Sequence, residues 1–159
     1  MKGNKIIIER LNARLADELT AISEYMVHSE MCANWGFDRL HETIERRAID
    51  EMKHAEKLIA RVLFLEGQPN VTRLNAIRIG ATVEAQHQND RAAEEAAVKA
   101  YNEDIRLAAE VSDNGTRELL EDILQDEEEH LDWIETQLGQ IQQLGLPNYL
   151  AEQTKAAGK

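Results

Sequence analysis

Apolar residues recur along this chain in steps of three and four, the spacing that gathers side chains on one face of an α-helix. Four long segments show this period and a short segment near the C-terminus shows it weakly. Glycine, proline and small polar residues separate the segments, and these residues commonly end helices. The pattern therefore predicts five helices, with approximate bounds at residues 5–33, 38–66, 82–111, 116–144 and 148–154.

The connections between the segments predict how the helices are arranged. The link after the first helix is short and contains Gly36, so the first two helices should form an antiparallel hairpin. Residues 67–81 show no helical period and are long for a link between adjacent helices. We expect them to cross over along the length of a bundle. The fold class is thus all-α: a four-helix bundle (about 5–144) with a long crossover between helices two and three and a short C-terminal fifth helix, in one domain spanning residues 1–159.

Each long helix has one glutamate at a position where the three- and four-residue spacing of its apolar residues predicts a buried core residue. In the first helix, Glu18 lies on the step between Leu15 and Ile22. A single glutamate on a core step can be partly exposed, ion-paired or bound to a metal, and these explanations are equally good. Four in register are different, because a buried carboxylate without a partner costs several kcal/mol or takes up a proton. The four glutamates that share this feature are Glu18, Glu51, Glu94 and Glu127.

Two of these glutamates begin a Glu-x-x-His motif, at Glu51 with His54 and at Glu127 with His130. Residues three apart on a helix point in nearly the same direction. Two such pairs on facing helices can meet inside a bundle and offer carboxylate oxygens together with imidazole nitrogens. This ligand set suits divalent iron or manganese. The sequence therefore predicts a buried site for two metal ions.

The composition agrees with this interpretation and excludes some functions. The chain has 159 residues, of which 43% are hydrophobic, 30% charged and only 4% aromatic, as expected for a globular helical protein. A net charge of −12 argues against nucleic acid and anionic membranes and favours cations, although solubility alone would also explain it. The single cysteine, Cys32, excludes an internal disulfide, and the apolar run Ile6–Ile8 is too short for a signal sequence or membrane span. We expect a cytoplasmic protein.

One glutamate from each of two helices, with Glu-x-x-His from each of the other two, resembles the di-iron carboxylate centre of ferritin-like proteins. Within that class the chain is similar to the bacterioferritins over nearly its whole length, and Met52 beside Glu51 is the residue that narrows the resemblance. The matching segments are Met1-Lys2-Gly3, Asn34-Trp35-Gly36, Asp50-Glu51-Met52-Lys53-His54-Ala55, Asp126-Glu127-Glu128-Glu129-His130 and Asn148-Tyr149-Leu150.

The resemblance implies an activity and a role for each ligand. The protein would oxidise Fe²⁺ to Fe³⁺ with O₂ or peroxide, as a ferroxidase, at a site with two iron ions per subunit, and would store the product as a ferric mineral. In these roles Glu18 and His54 are terminal ligands of one iron, Glu94 and His130 are terminal ligands of the other, and Glu51 and Glu127 bridge the two ions.

The resemblance also implies partners and a second cofactor. The chain would form a hollow homo-oligomer of 24 subunits built from two-fold dimers, with one haem b held between each pair of subunits by Met52. A small ferredoxin could supply electrons for iron release. A second apolar stripe on the first helix is consistent with a subunit contact or with a broad core face, and it comprises Ala16, Leu19, Ser23 and Met26. Ile49 and Met52 form a similar flank on the second helix.

Two alternatives to this function remain open. The same fold and ligands would suit a di-iron or di-manganese peroxidase or catalase that stays a small oligomer. A helical scaffold with solvated acidic residues would bind no metal at all.

Several residues near the motifs have less certain roles. Tyr25 and Tyr101 lie on core steps and would either hydrogen-bond a metal ligand or fill space. Some bacterioferritins carry a histidine and an acidic residue on the inner cavity surface, near the residue equivalent to Asp50. Here those positions are Arg46 and Arg47, so we expect two cations on that surface that repel Fe²⁺. The histidines outside the motifs are expected to be surface residues or hydrogen-bonded ones: His28, His41 and His87.

Overall fold

The computed structural model describes residues 1–155 and consists of four long helices and a short one. This confirms the predicted all-α fold with a crossover between the second and third helices and a short fifth helix. The last four residues of the predicted domain, 156–159, lie outside the described residues. The helices are α1 (Lys5–Asn34), α2 (Asp38–Phe64), α3 (Val83–Glu110), α4 (Asn114–Leu144) and α5 (Leu146–Ala151).

Local capping residues explain where the helices begin. Asn4, Thr82 and Asp113 precede α1, α3 and α4, and each side chain accepts a hydrogen bond from a backbone N–H in the first turn that would otherwise lack a partner. Most helix bounds therefore agree with the sequence to within two residues. The exception is the C-terminal end of the fifth helix, which starts at Leu146 and ends at Ala151 instead of at about 154.

Helices α1 and α2 form one antiparallel pair, and α3 and α4 form the other. The extended segment between α2 and α3 joins the pairs and is fastened along α1. The backbone N–H groups of Asn75 and Gly80 donate to Thr20 Oγ1 at 2.8 Å and His28 Nε2 at 3.0 Å, and that of Arg78 donates to Glu24 Oε2 at 3.1 Å. Since Thr20, Glu24 and His28 are four residues apart, they lie on one face of α1. That face holds the crossover in place.

Gly80 lies at the tightest point of this crossover. A Cβ atom there would lie 2.3 Å from the backbone nitrogen of Gln86, which cannot move aside as a side chain could. We expect Gly80→Ala to destabilise the protein by about 1–3 kcal/mol, the usual cost of overpacking. Gly139→Ala is the matched control, because the added Cβ meets nothing within 4 Å and alanine is favoured in a helix. Thermal unfolding should show a lower Tm for the first variant only; equal Tm values would contradict the close approach.

The apolar core is divided into two clusters. One contains Leu11, Leu15, Leu58 and Leu120. The other contains Ile44, Ala48, Val83, Ile141 and Tyr149. Between them, along every long helix, lies a layer of buried charged residues. The two apolar clusters supply the burial that stabilises the bundle, and they leave the polar layer in the middle available for chemistry.

Candidate metal centre

The charged layer contains all six residues that the sequence predicts as metal ligands. Helix α1 contributes Glu18, α3 contributes Glu94, and α2 and α4 each contribute a Glu-x-x-His pair. The five residues other than His130 have at most 3% of their surface exposed. The His130 side chain is 12% exposed. Side chains from four helices therefore converge on one interior site, as the apolar period indicated.

The six residues divide into two overlapping half-sites, and in each one the potential ligand atoms lie within 4.8 Å of one another. Glu51 and Glu127 belong to both groups, which is the arrangement expected of bridging carboxylates. We call the groups the His54 half-site and the His130 half-site. The first comprises Glu18, Glu51, His54 and Glu127, and the second comprises Glu51, Glu94, Glu127 and His130.

The two shared carboxylates present one oxygen to each histidine. From His54 Nδ1, Glu51 Oε2 is 3.0 Å away and Glu127 Oε1 is 3.1 Å away. From His130 Nδ1, Glu51 Oε1 is 3.1 Å away and Glu127 Oε2 is 3.6 Å away. Glu18 Oε2 lies 3.6 Å from His54 Nδ1, and Glu94 Oε1 lies 3.7 Å from His130 Nδ1. Each half-site thus has one terminal carboxylate, one imidazole nitrogen and one oxygen from each shared carboxylate.

Asp126 orients the imidazole ring of His54, and sequence analysis missed this role. His54 Nε2 donates to Asp126 Oδ2 at 2.9 Å, and His130 Nε2 lies 4.0 Å from Asp50 Oδ2. A carboxylate at Nε2 keeps the proton there and leaves the Nδ1 lone pair for a metal. The sequence does contain these aspartates next to the predicted ligands, because each motif reads Asp-Glu-x-x-His. The aspartate of each motif lies beside the histidine of the other motif. Residue spacing along one helix does not show such a contact between two helices.

Two buried tyrosines hold the terminal glutamates. Tyr25 donates its hydroxyl hydrogen to Glu94 Oε1, and Tyr101 donates to Glu18 Oε1. The sequence identified both tyrosines as possible partners of a ligand. Along the chain, Tyr25 follows Glu18 by seven residues on α1, and Tyr101 follows Glu94 by seven residues on α3. The structure instead pairs each tyrosine with the glutamate of the opposite helix.

In the metal-free site, bound protons offset part of the negative charge of the four carboxylates. Burial and the charge of Glu51 raise the pKa of Glu18 well above its usual range, and burial with the charge of Glu127 does the same for Glu94. Burial alone would raise the pKa of Glu51, but the adjacent imidazoles of His130 and His54 lower it. Burial opposes protonation of the histidines, yet the adjacent shared carboxylates raise the pKa of His130 to about 9 and that of His54 further.

This donor set fits two divalent cations. Glu51 Oε1 and His130 Nδ1 are buried side by side without making a hydrogen bond. Buried polar atoms seldom lack a partner unless something else completes them, such as a metal ion. Two divalent ions would balance four carboxylates and replace the protons that the metal-free site retains.

Comparison with known proteins agrees with the fold and the site. The chain matches the Ferritin-like domain family over residues 8–144. It is 41% identical over 152 residues to a bacterioferritin of Mycobacterium leprae, covering 96% of each chain. It is 43% identical over 145 residues to a bacterioferritin of Rhodobacter capsulatus, covering 91% of this chain and 90% of the relative. The chain belongs to the bacterioferritin family. A bacterioferritin of Brucella melitensis is 37% identical over 149 residues, covering 94% of this chain and 92% of the relative.

In this member of the bacterioferritin family a cavity of about 470 Å³ reaches the metal centre from between α1, α3 and the crossover. One end is formed by metal ligands, including Glu18 and Glu94. The α3 wall is formed largely by alanines, which leave space that larger side chains would fill. The small residues of that wall are Ala92, Ala93, Ala96, Ala97 and Ala100. A passage with such a wall suits a small uncharged molecule on its way to the centre.

The structure corrects the prediction for Arg47. This residue does not lie on a surface but is buried in the bundle with 4% of its area exposed, whereas its neighbour Arg46 is exposed. The guanidinium carbon of Arg47 lies 4.7 Å from the centre of the Trp133 ring and 5.5 Å from that of Tyr25. Long apolar stretches of the arginine side chain and these two aromatic faces explain its position inside the protein.

The remaining histidines take part in hydrogen bonds away from the metal centre. His28 and His87 are fully buried, contrary to a surface position, and His41 is half-buried beside Ser29. His28 Nε2 accepts from the backbone of Gly80, so its Nδ1 carries the proton that it shares with Asp90 at 2.9 Å. Glu24, His28 and Asp90 lie close together, but this tautomer leaves His28 no free lone pair for a metal. The group fastens the crossover.

Met52 lies outside the metal centre, on the surface of α2. It is 46% exposed, and other apolar residues on α1 and α2 are also exposed, namely Met26 at 53% and Ile49 at 43%. Leu19 is half-buried, so the second apolar stripe lies partly on the surface as expected for a contact. Ala16, which the sequence placed at the start of that stripe, is instead buried in the bundle. Single exposed apolar residues are common, but several on adjoining turns indicate a surface that a partner covers.

Proposed function

We propose that this protein stores iron and that it oxidises Fe²⁺ to Fe³⁺ at the two half-sites. The observation that carries the proposal is the sharing of Glu51 and Glu127, each with one oxygen toward His54 and one toward His130. Carboxylates that bridge in this way hold two metal ions roughly 3.5–4 Å apart. Each ion can then give up one electron to the same oxidant molecule.

The residues of the chain have separate tasks in this reaction. The six ligands bind and align two Fe²⁺ ions, and their hard carboxylate oxygens favour the ferric product. Tyr25 and Tyr101 fix the terminal glutamates, while Asp126 directs the Nδ1 lone pair of His54 inward. O₂ or peroxide accepts the electrons, and two protons turn O₂ into hydrogen peroxide when two irons are oxidised. The alanine-walled cavity gives that small molecule a path to the site.

Storage requires a shell, and family membership supports an oligomer. We propose a homo-oligomer of 24 subunits assembled from two-fold dimers, in which oxidised iron collects as a mineral in the central space. The exposed apolar residues of α1 and α2 would lie in the dimer contact. A small ferredoxin would return electrons when iron is released. No helix among residues 1–155 is both long and apolar enough to cross a membrane, and we propose a cytoplasmic location.

Haem b would occupy the same dimer contact, one for each pair of subunits. The residues present fit such a group, since the thioether of Met52 is exposed beside Ile49 and would face its own copy across the two-fold axis of the proposed dimer. Thioether sulfur is an established axial ligand of haem iron. A bound haem would supply one-electron transfer between the shell surface and the stored iron.

The alternative function, a small-oligomer peroxidase or catalase with two iron or manganese ions, uses the same ligands. Native mass after loading with Fe²⁺ in air separates the two. Storage predicts a large shell that contains many more iron atoms than its binding sites. The peroxidase predicts a small oligomer with about two metal ions per chain. A scaffold without a metal function would gain neither mass nor metal.

Metal binding should release protons at neutral pH. His130 has its pKa raised to about 9, so at pH 7 it carries a proton that Zn²⁺ must displace. The ion pairs of protonated His130 stabilise the metal-free fold below pH 6.5 and are lost as pH rises through about 9. We expect the apparent Zn²⁺ affinity to rise from pH 6 through pH 9, and to go on rising above it because the pKa of His54 is raised further than that of His130.

Calorimetric titration in two weakly coordinating buffers with different ionisation enthalpies measures this release. We expect about one proton or more for each pair of ions bound. His130→Gln should release fewer, because glutamine holds no proton to displace. Heats that are independent of the buffer would show that the imidazole is already neutral in the metal-free protein.

A further inference from the structure

A single unpaired cation lies beside one half-site. Arg47 stands one helical turn before Glu51 on α2, and its Nε and Nη1 atoms are buried without a hydrogen bond. Among residues 1–155, no carboxylate lies within ion-pair distance of its guanidinium. Its nearest aromatic neighbours connect it to the His130 half-site: Tyr25 donates to Glu94, and Trp133 lies one turn after His130 on α4.

The His54 half-site has an arginine in a similar position, but its charge is balanced. Arg14 stands one turn before Glu18 on α1 and is 9% exposed, with its guanidinium 6.0 Å from the ring centre of Tyr101. It pairs with Asp17 at 3.1 Å and with buried Asp104 at 3.6 Å. Each half-site therefore has a tyrosine that holds its terminal glutamate and an arginine near that tyrosine. Only the arginine of the His54 half-site has acidic partners.

The positive charge of Arg47 affects the pKa values of groups in the His130 half-site. Its field lowers the pKa values of Glu94 and His130, although larger effects of burial and hydrogen bonds also act on both groups. It also lowers the pKa of Asp90, but one oxygen of that carboxylate bonds His28 and the other bonds nothing. Asp90 therefore does not form a direct pair with Arg47, whose charge acts on whatever cation occupies the half-site.

We propose that Arg47 makes the two half-sites unequal, so that the first metal ion binds at the His54 half-site and the second binds more weakly at the His130 half-site. This inference rests on the proposed two-iron function and adds an order to it. The weaker ion is the one that can leave after oxidation and join the mineral, while the first ion stays. Arg47 acts through charge and touches no metal, so it is a positioning residue of the centre.

The size of the effect follows from electrostatics. Two ions about 4 Å apart would lie roughly 10 and 14 Å from one unit charge, so at an effective dielectric constant of about 20–40 that charge weakens the binding of the nearer ion about two- to fivefold more than that of the farther ion. Titration of metal-free protein with Co²⁺, followed by calorimetry and by visible absorption, should show two binding steps per chain that differ by this factor. The measurement needs no iron oxidation.

The deciding variants change the charge or keep it. Arg47→Gln should strengthen both steps, the second about two- to fivefold more than the first, and so narrow the gap between them. Arg47→Lys, which keeps the charge with less packing, should preserve the gap. Arg46→Gln is the matched control, because it removes the same charge from the adjacent exposed position and should leave both steps as they are. Circular dichroism and Tm establish that each variant is folded.

Ligand variants show which half-site is filled first. Glu18→Ala should remove the tight step, and Glu94→Ala should remove the weak one. Two steps of equal affinity in the unaltered protein, a gap that is unchanged in Arg47→Gln, or a gap narrowed equally in Arg46→Gln would each overturn the role of Arg47. Failure to bind two Co²⁺ ions per chain would overturn the two-metal function itself, so the two failures are distinguishable.

Discussion

Glu127→Ala should abolish the rapid oxidation of Fe²⁺ while leaving the helical fold and the assembly intact. Glu127 is 2% exposed and contributes one oxygen to each half-site, so its removal weakens the binding of both metal ions at once. We expect the fast phase to be at least about 100-fold slower, since even residues that only orient a metal ligand cost about 10–100-fold when replaced. Stopped-flow absorbance at about two Fe²⁺ ions per chain measures it.

The fold should tolerate this change because the centre contributes charge and not apolar packing. Glu127 is one of four buried carboxylates that repel one another in the metal-free protein, and its loss leaves His54 paired with Glu51 and Glu18. Glu128→Ala is the matched control: it removes the same group from the next residue, which is exposed. An unchanged fast phase in Glu127→Ala, or an equal loss in Glu128→Ala, would contradict the bridging role.

The fold and the identity of the six ligands could be predicted because both follow from periodicity within single helices. Glu18 takes a core step in α1 as surely as Leu15 does, and a charged residue on that step must face the interior. Capping residues such as Thr82 likewise define a helix end from local sequence. These features need only the geometry of one helix.

The second layer of contacts could not be predicted in the same way, because it joins different helices. Asp126 bonds His54, and Tyr25 bonds Glu94, although residues of their own helices lie closer in sequence. Such pairs depend on the rotation and offset of neighbouring helices. Arg47 shows the same limit, since the family resemblance placed it on the inner cavity surface while the faces of Trp133 and Tyr25 allow it inside the bundle.

Met52→Leu should remove the haem while preserving both the assembly and the oxidation of Fe²⁺. Met52 follows Glu51 by one residue, which turns its side chain about 100° away from the metal centre. In the structure Glu51 is 1% exposed and Met52 is 46% exposed, so the two sites share no ligand. Leucine keeps the apolar contact between subunits and removes only the sulfur that would bind haem iron.

The expected result for the unaltered protein is one haem b per two chains with the low-spin spectrum of two methionine ligands, and for Met52→Leu a haem content near zero. Met26→Leu is the control, because it makes the same chemical change at another exposed position of the proposed dimer contact and should retain the haem. Lys53 Nζ donates a hydrogen bond to Asp50 Oδ1 at 3.2 Å in the structure. Once this contact is broken, Lys53 can pair with a propionate group of the haem. Full haem content in Met52→Leu would refute the axial assignment, and loss of the dimer in that variant would show that Met52 serves the contact itself.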